Sequence, residues 1–147
     1  MKFVVDFMCG RLARWMRILG YDTLYMRDTD RGKLIEVARK EGRIIITRDT
    51  HLPGTPGVKV FLLSSEFIRE QLKEIRKNFP PAEMLTRCSL CNTPLEKVPK
   101  EKAKGNVPEY TYLTHDEFYY CPVCKKFYWE GTHCEFMREF LREVDSA

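Results

Sequence analysis

Two pairs of cysteines constrain this chain more than any other feature of its sequence. Cys88 and Cys91 are separated by two residues, Cys121 and Cys124 likewise, and 29 residues lie between the pairs. The contexts RCSLCN and YCPVCK are typical of zinc knuckles, in which a tight turn presents two thiolates to one ion. The metal then replaces the hydrophobic core that so short a segment cannot build. We therefore predict one structural zinc ion bound by the four cysteines.

Disulfides or redox-active dithiols are the alternative interpretation of the same cysteines. Redox C-x-x-C motifs normally open a helix of a thioredoxin-like unit, which neither pair does here. The N-terminus has an apolar run that Asp6 interrupts and no small-residue cleavage site, so we expect a cytoplasmic protein without a signal peptide. No apolar run approaches the roughly 18 residues of a membrane span. Cys9 and Cys134 lack partners at ligand spacing and are predicted to be free, buried thiols, and His133 is not needed as a fifth ligand.

Apolar patterns typical of strands alternate with apolar patterns typical of helices over the first part of the chain. Strands are predicted at the short apolar runs 2–5, 23–26, 44–46 and 58–63. Helices are predicted where apolar residues recur every three or four positions, over 8–19, from 34 to Gly42 and over 65–78. In the first helix this spacing places Met8 on the buried face and Arg17 off it, and in the third it directs Phe67 inward. The alternation predicts an α/β fold with a mostly parallel sheet between two layers of helices.

Pro80 and Pro81 end the third predicted helix, and we place a domain boundary near residue 84. The segment beyond it is punctuated by Cys and Pro, is predicted to be rich in β-structure, and closes with an amphipathic helix over 134–144. The charge also divides here, since residues 1–86 contain 16 Lys and Arg against 11 Asp and Glu, and residues 87–147 contain 9 against 10. Basic character in the first part suits a polyanionic partner, although a solvated surface explains so small an excess equally well.

Carboxylates follow the first three predicted strands. Asp6 ends the first strand, Asp28 or Asp30 follows the second, and Asp49 follows the third. Because parallel strands end at one edge of their sheet, we expect these carboxylates to converge, which requires a cation such as Mg²⁺ or Mn²⁺. The alternative is local, with Asp6 and Asp49 as turn residues and Asp30 as a helix N-cap.

Arginines accompany these acids. Arg11 and Arg14 lie one helical turn apart just after Asp6, where they could bind adjacent phosphates, and Arg48 precedes Asp49. A divalent ion held by the carboxylates would activate water and neutralise the charge that develops on a phosphodiester. The pattern predicts a hydrolytic phosphodiester site at the sheet edge.

Longer segments resemble a known family. FVVDFMCGRLARWMRILGYDT, DTDRGKLIEVARKEGRIIITRD, RCSLCN and YCPVCKKFYWEGTH resemble the Mut7-C family, a PIN-like ribonuclease domain followed by a zinc ribbon. The resemblance covers nearly the whole chain. It implies a PIN-like nuclease domain over residues 1–84, a zinc ribbon with a C-terminal helix over residues 85–147, a divalent-metal-dependent active site and RNA as the substrate. PIN-like domains often form homodimers, although no segment here specifies an interface.

The resemblance also assigns roles by position. Asp6 matches the first acid, Asp49 the last, and Thr47 would orient the site by hydrogen bonding. The middle acid is assigned by position to Asp30, with Asp28 in reserve. Similar sequences tend to open the second helix with an acidic run, whereas here Asp30 is followed by Arg31, Gly32 and Lys33.

Two other functions remain open at this level. A non-catalytic RNA- or ribosome-associated module would use the basic surface alone, and a zinc-ribbon adaptor would bind protein. The aromatic residues of the second half, beside Lys125 and Lys126, could stack unpaired bases, but aromatics also pack small ribbons.

Overall fold

Four short strands form one parallel sheet in the order β2-β1-β3-β4. In the computed structural model, which describes residues 1–146, these strands are β1 (Lys2–Val5), β2 (Asp22–Tyr25), β3 (Ile44–Thr47) and β4 (Val60–Leu62). The helices between and after them are α1 (Gly10–Ile18), α2 (Arg31–Glu41) and α3 (Ile68–Asn78), and a 3-10 turn at Phe7–Cys9 precedes α1. The predicted α/β class and parallel sheet are confirmed.

The sheet is covered on both faces, as a sheet of buried parallel strands requires. Phe3, Val5 and Ile46 face the cluster that contains α1 and α3. Val4 and Ile45, one residue out of step, face the second cluster, which includes Leu34 and Ala38 of α2. The predicted three-layer arrangement is therefore present.

Gly20 fixes the path of the chain where α1 gives way to β2. Its φ of 100° is a conformation that residues with a Cβ rarely adopt, and a Cβ there would lie 1.9 Å from the carbonyl oxygen of Glu83. Only glycine therefore allows the backbone that leaves α3 to pass so close to the end of α1.

The second part of the chain contains a three-stranded antiparallel sheet in the order β5-β6-β7. Its strands are β5 (Glu96–Val98), β6 (Phe118–Cys121) and β7 (Lys126–Tyr128). Two short helices that the sequence analysis does not predict, α4 (Lys100–Ala103) and α5 (Glu109–Thr114), lie between β5 and β6. Pro99 and Pro108 occupy their N-cap positions, so prolines interpreted as loop punctuation in fact precede helices.

The last helix, α6 (Thr132–Ser146), packs against the first part of the chain. Its buried residues Met137, Phe140 and Val144 belong to the same core cluster as α1 and α3. Ion pairs join α3 to α6, from Arg69 to Glu143 at 3.0 Å and from Arg76 to Asp145 at 2.7 Å. Residues far apart in sequence thus complete one core.

Three sequence predictions about helix faces are wrong. Met8 is 48% exposed because it lies in the 3-10 turn, before the α1 stripe begins. Phe67 is 65% exposed because it is the N-cap of α3, in extended conformation. Arg17, expected off the buried face, is only 8% exposed because the cysteine-rich segment covers it.

Cys9 and Cys134 are free and buried, as predicted. Burial, together with the neighbouring Asp6 carboxylate, raises the pKa of the Cys9 thiol to about 12, so this thiol stays protonated. Among the described helices, none combines the length and the apolar character needed to cross a bilayer.

Candidate active site and metal centre

A cavity of about 740 Å³ opens at the carboxyl ends of β1 and β3. The sheet order reverses between these two strands, and such a switch point is where open α/β sheets generally bind ligands. The lining includes Asp6, Phe7, Met8, Asp28, Thr29, Asp30, Arg31, Leu34, Arg48, Asp49, Thr50, His51 and Leu52. All four candidate acids therefore border one cavity.

Asp6 is the most buried of these acids, with 4% of its surface exposed. One carboxylate oxygen accepts a hydrogen bond from the backbone N–H of Met8 at 3.1 Å, which caps the 3-10 turn. The other oxygen accepts a short hydrogen bond from the hydroxyl of Thr47. The end of β1 thus aims Asp6 across the sheet toward the end of β3.

Thr47 connects Asp6 to Asp49. Its hydroxyl donates to Asp6 and accepts from the backbone N–H of Asp49 at 2.9 Å. A threonine suits this position because its β-branch packs within a buried strand while its hydroxyl joins two polar neighbours. The Thr47 hydroxyl therefore links the ends of β1 and β3 by hydrogen bonds.

Asp49 is surrounded by donors. One oxygen accepts from the backbone N–H of His51 at 2.9 Å and lies 3.0 Å from the His51 ring, and the other forms an ion pair with Arg31 at 2.6 Å. The backbone hydrogen bond from His51, with help from Arg31, holds the pKa of Asp49 below its usual value. Asp49 is therefore ionised at neutral pH and available as an anionic ligand.

The two candidates for the middle acid differ in their surroundings. Asp30 caps α2, since its side chain accepts from the backbone N–H of Gly32 at 2.8 Å. Asp28 forms an ion pair with Lys33 at 2.9 Å, and this hydrogen bond lowers the pKa of Asp28. Both are exposed, and each has a local structural role as well as a place in the cavity lining.

The acids suit a hydrated hard cation more than a closed cage. Over residues 1–146, the four cysteines are the only group of three or more potential ligands whose donor atoms all lie within 4.8 Å of one another. The candidate acids line one cavity without forming such a group, but Mg²⁺ usually keeps several waters and takes only one or two protein carboxylates. The oxygen donors and the room around them fit that mode of binding.

Of the arginines that the sequence singles out, Arg48 lines the cavity. Arg11 and Arg14 are exposed on α1, outside the lining. Arg31 and His51, which sequence reasoning missed, both contact Asp49 directly. The signal for His51 was its place two residues after Asp49, where an Asp side chain often bonds the backbone of a tight turn. The partner of Arg31, 18 residues away, could not be read from spacing.

The four cysteines converge as the sequence predicts. The Sγ atoms of Cys88 and Cys124 lie 3.8 Å apart and those of Cys91 and Cys121 lie 3.6 Å apart. Four sulfurs at the usual Zn–S distance of about 2.3 Å lie about 3.8 Å from one another at the corners of a tetrahedron. The cluster therefore could form a zinc site.

The thiols of the cluster differ in how readily they lose a proton. Burial opposes ionisation of Cys91, but hydrogen bonding between the Cys91 thiolate and Thr93 outweighs it and lowers the pKa of Cys91 to about 6. Hydrogen bonding to the Cys91 thiolate raises the pKa of Cys124, which is exposed, to about 12. One thiol thus loses its proton readily while a neighbour resists, and a bound cation removes that resistance.

The first cysteine turn is anchored to the parallel sheet by Arg17. Its guanidinium donates to the carbonyl of Thr23 at 2.8 Å and to the carbonyls of Ser89 and Leu90, between the first two cysteines, at 3.2 and 3.1 Å. Burial lowers the pKa of Arg17, but the negative charge of Cys91 and Cys88 counteracts this. A single buried side chain therefore joins α1, β2 and the cysteine cluster.

Asn92 extends this anchor along β2, the edge strand. Its side-chain oxygen accepts from the backbone N–H of Thr23 at 2.9 Å, and its amide donates to Asp22 at 2.8 Å. Asp22 also pairs with Arg43 at 2.8 Å. Burial raises the pKa of Asp22, but the hydrogen bonds from Arg43 and Asn92 outweigh burial, so its pKa lies below the usual value. The asparagine thus pairs with an edge that would otherwise stay open.

We expect Arg17→Met to destabilise the protein by about 2–4 kcal/mol, because the buried carbonyls of Thr23, Ser89 and Leu90 lose their charged donor. Equilibrium denaturation by guanidinium chloride, followed by circular dichroism, measures this loss. Arg14→Met is the matched control, since Arg14 is exposed on the same helix and should change stability by less than about 0.5 kcal/mol. Equal effects of the two substitutions would contradict the anchoring role.

The aromatic residues of the second part mostly pack on one another. The rings of Tyr112 and Phe118 are stacked at 6.5 Å, and Phe118 also lies 6.4 Å from Trp129. Trp15 of α1 contacts His133 and Phe136 at 5.8 and 6.0 Å. The packing interpretation accounts for these contacts, and Tyr110, which is 77% exposed, is an exception.

Together these features define a class, that of three-layer α/β proteins with an acidic strand-end cavity and a cysteine cluster suited to a metal. The Mut7-C RNAse domain family matches residues 1–141, and the chain belongs to this family. Membership indicates a ribonuclease-like function. Comparisons with curated proteins and with solved structures give no match.

Proposed function

We propose that this protein is a divalent-metal-dependent ribonuclease whose active site is the acidic cavity, and that its four cysteines bind one structural zinc ion. The observation that carries the proposal is the hydrogen-bonded series from Asp6 through Thr47 to Asp49, which places two acids at the switch point of the sheet. Membership of the Mut7-C RNAse domain family supports RNA as the substrate.

Asp6 and Asp49 would hold the ion, with Asp30 as a third acid. A bound Mg²⁺ or Mn²⁺ ion supplies charge neutralisation at the scissile phosphate and a more acidic water. The contacts from Thr47 and His51 hold the carboxylates of Asp6 and Asp49 in a fixed orientation before substrate arrives, which lowers the cost of reorganisation. Arg48, at the cavity wall, would bind an RNA phosphate there. Arg11 and Arg14, which are exposed outside the cavity, would bind phosphates further along the RNA.

RNA cleavage is expected to require added Mg²⁺ or Mn²⁺. We expect purified, zinc-loaded protein to cut end-labelled RNA about a thousandfold faster, or more, with either ion than without it. The assay uses a single-stranded and a hairpin RNA. Metal is withheld rather than chelated, so that the cysteine site stays loaded. A protein that leaves both RNAs intact with either ion would contradict the proposal.

A non-catalytic RNA-binding module is the second candidate. It is favoured by the ion pairs that already neutralise two of the acids, Arg31 with Asp49 and Lys33 with Asp28. In that case Asp6→Asn combined with Asp49→Asn would leave RNA affinity intact or raise it, and metal would bind at the cysteines alone. Titration of the wild type and Asp49→Asn with Mn²⁺ distinguishes the two candidates, since only the nuclease has Mn²⁺ binding that Asp49→Asn abolishes.

A further inference from the structure

Arg31 forms an ion pair with a carboxylate oxygen of Asp49 that a metal ion could also bind. Its Nε atom lies 2.6 Å from Oδ2 of Asp49, while the other carboxylate oxygen is taken by His51. No other cation forms an ion pair with Oδ2 in the described chain. A cation that binds Asp49 through Oδ2 therefore competes with Arg31 for this oxygen.

The two partners differ in how easily they can move. Asp49 is only 13% exposed and is held through its backbone N–H by Thr47 and through its carboxylate by His51. The Arg31 side chain is 55% exposed, and its guanidinium makes no hydrogen bond besides the one to Asp49 within residues 1–146. Separation of the pair thus leaves Asp49 in place and moves Arg31.

A displaced Arg31 would remain at the cavity. Its backbone is fixed as the first residue of α2, directly after the cap at Asp30, so only the side chain is free to turn. The cavity wall also carries Arg48, and a planar guanidinium can bind a phosphate through two parallel hydrogen bonds. Release from Asp49 therefore supplies a second phosphate-binding cation at the site.

We propose that Arg31 has two successive partners, Asp49 in the metal-free protein and an RNA phosphate once a divalent cation has taken Asp49. Arg31 then helps to keep Asp49 ionised before metal binds, and it makes substrate binding follow metal binding. This inference rests on the proposed nuclease function. It assigns a substrate-positioning role to a residue that sequence patterns leave among the solvated charges.

The test compares Arg31→Gln with Lys33→Gln. Lys33 lies in the same helical turn, is similarly exposed and pairs with Asp28 instead of Asp49, so it controls for loss of a positive charge near the cavity. Mn²⁺ affinity is measured by electron paramagnetic resonance on zinc-loaded protein, with Asp49→Asn as the blank. The KM for a labelled oligouridylate is measured from initial rates at saturating Mn²⁺.

We expect Arg31→Gln to bind Mn²⁺ about fivefold more tightly than the wild type, since the competing cation is gone, and to raise the KM for RNA about tenfold. Lys33→Gln should change both values by less than about twofold. The opposite signs are diagnostic, because a general structural defect would weaken both interactions.

Three results would overturn the inference. An unchanged Mn²⁺ affinity in Arg31→Gln would show that Arg31 does not compete with the metal for Asp49. An unchanged KM for RNA would show that Arg31 does not bind a phosphate. If Lys33→Gln changed the Mn²⁺ affinity and the KM as much as Arg31→Gln does, both effects would be explained by the loss of one positive charge near the cavity. Failure of the nuclease function itself gives a different result, since the wild type would then show no Mn²⁺ binding that Asp49→Asn abolishes.

Discussion

Cys121→Ser is expected to abolish metal binding at the cysteine cluster and to lower the melting temperature by about 10 °C or more. Cys121 is fully buried at the end of β6, and its Sγ atom lies 3.6 Å from that of Cys91. Without this ligand, the three remaining thiols would lie close together with no bound cation to balance the negative charge of their thiolates. The small sheet has little apolar core of its own, so the metal would supply most of its stability.

The loss should extend beyond the small sheet. Arg17 and Asn92 hold the first cysteine turn against β2, and α6, which follows the second cysteine pair, completes the core of α1 and α3. We therefore expect a single cooperative transition at a lower temperature, and not the melting of one isolated segment.

Calorimetry measures the melting temperature, and a colorimetric assay measures the zinc content. We expect one zinc ion per wild-type chain. Cys134→Ala is the matched control, because Cys134 is equally free of disulfides and is buried in α6 but is not in the cluster. This control should retain one zinc per chain. A Cys121→Ser protein that melts at the wild-type temperature would show that the metal is not structural.

Features set by neighbours in sequence were predictable from sequence alone. The parallel sheet followed from apolar runs separated by helical periods, and the cysteine cluster followed from two short turns whose ligand geometry is local. The carboxylates after β1 and β3 border one cavity because parallel strands end at one edge. Each of these depends on rules that hold within about ten residues or on sheet topology.

Features set by distant partners were not predictable. Arg17 lies where helical periodicity expects solvent, and the residues that bury it, Ser89 and Leu90, come more than 70 residues later. The ion pair between Arg31 and Asp49 depends on how α2 packs against the sheet, and a charged first residue of a helix gives no sign of it. Local patterns also misplaced Met8 and Phe67, since each lies just outside the helix whose apolar spacing it continues in the sequence.

Asp49→Asn is expected to reduce RNA cleavage about a thousandfold while the fold is retained. Asparagine keeps the size of the side chain and an oxygen that can accept from the His51 backbone N–H, but it removes the charge on which a divalent cation depends. Asp116→Asn is the control, because this aspartate is 97% exposed and lies in the second part of the chain, outside the cavity. Equal cleavage rates in the two variants would exclude the cavity as the active site.

The substitution Asp30→Asn separates the helix-capping role of Asp30 from its role as an anionic ligand. Asparagine caps a helix as well as aspartate does, so Asp30→Asn should preserve the bond to the Gly32 backbone N–H and the stability of α2. A large loss of cleavage with unchanged stability would then report on the carboxylate charge alone.

Asp28→Asn breaks only an exposed ion pair to Lys33, so we expect less than about a threefold effect on cleavage. If instead Asp28→Asn is the variant that loses activity, the third acid of the site is Asp28, and Asp30 serves the helix alone.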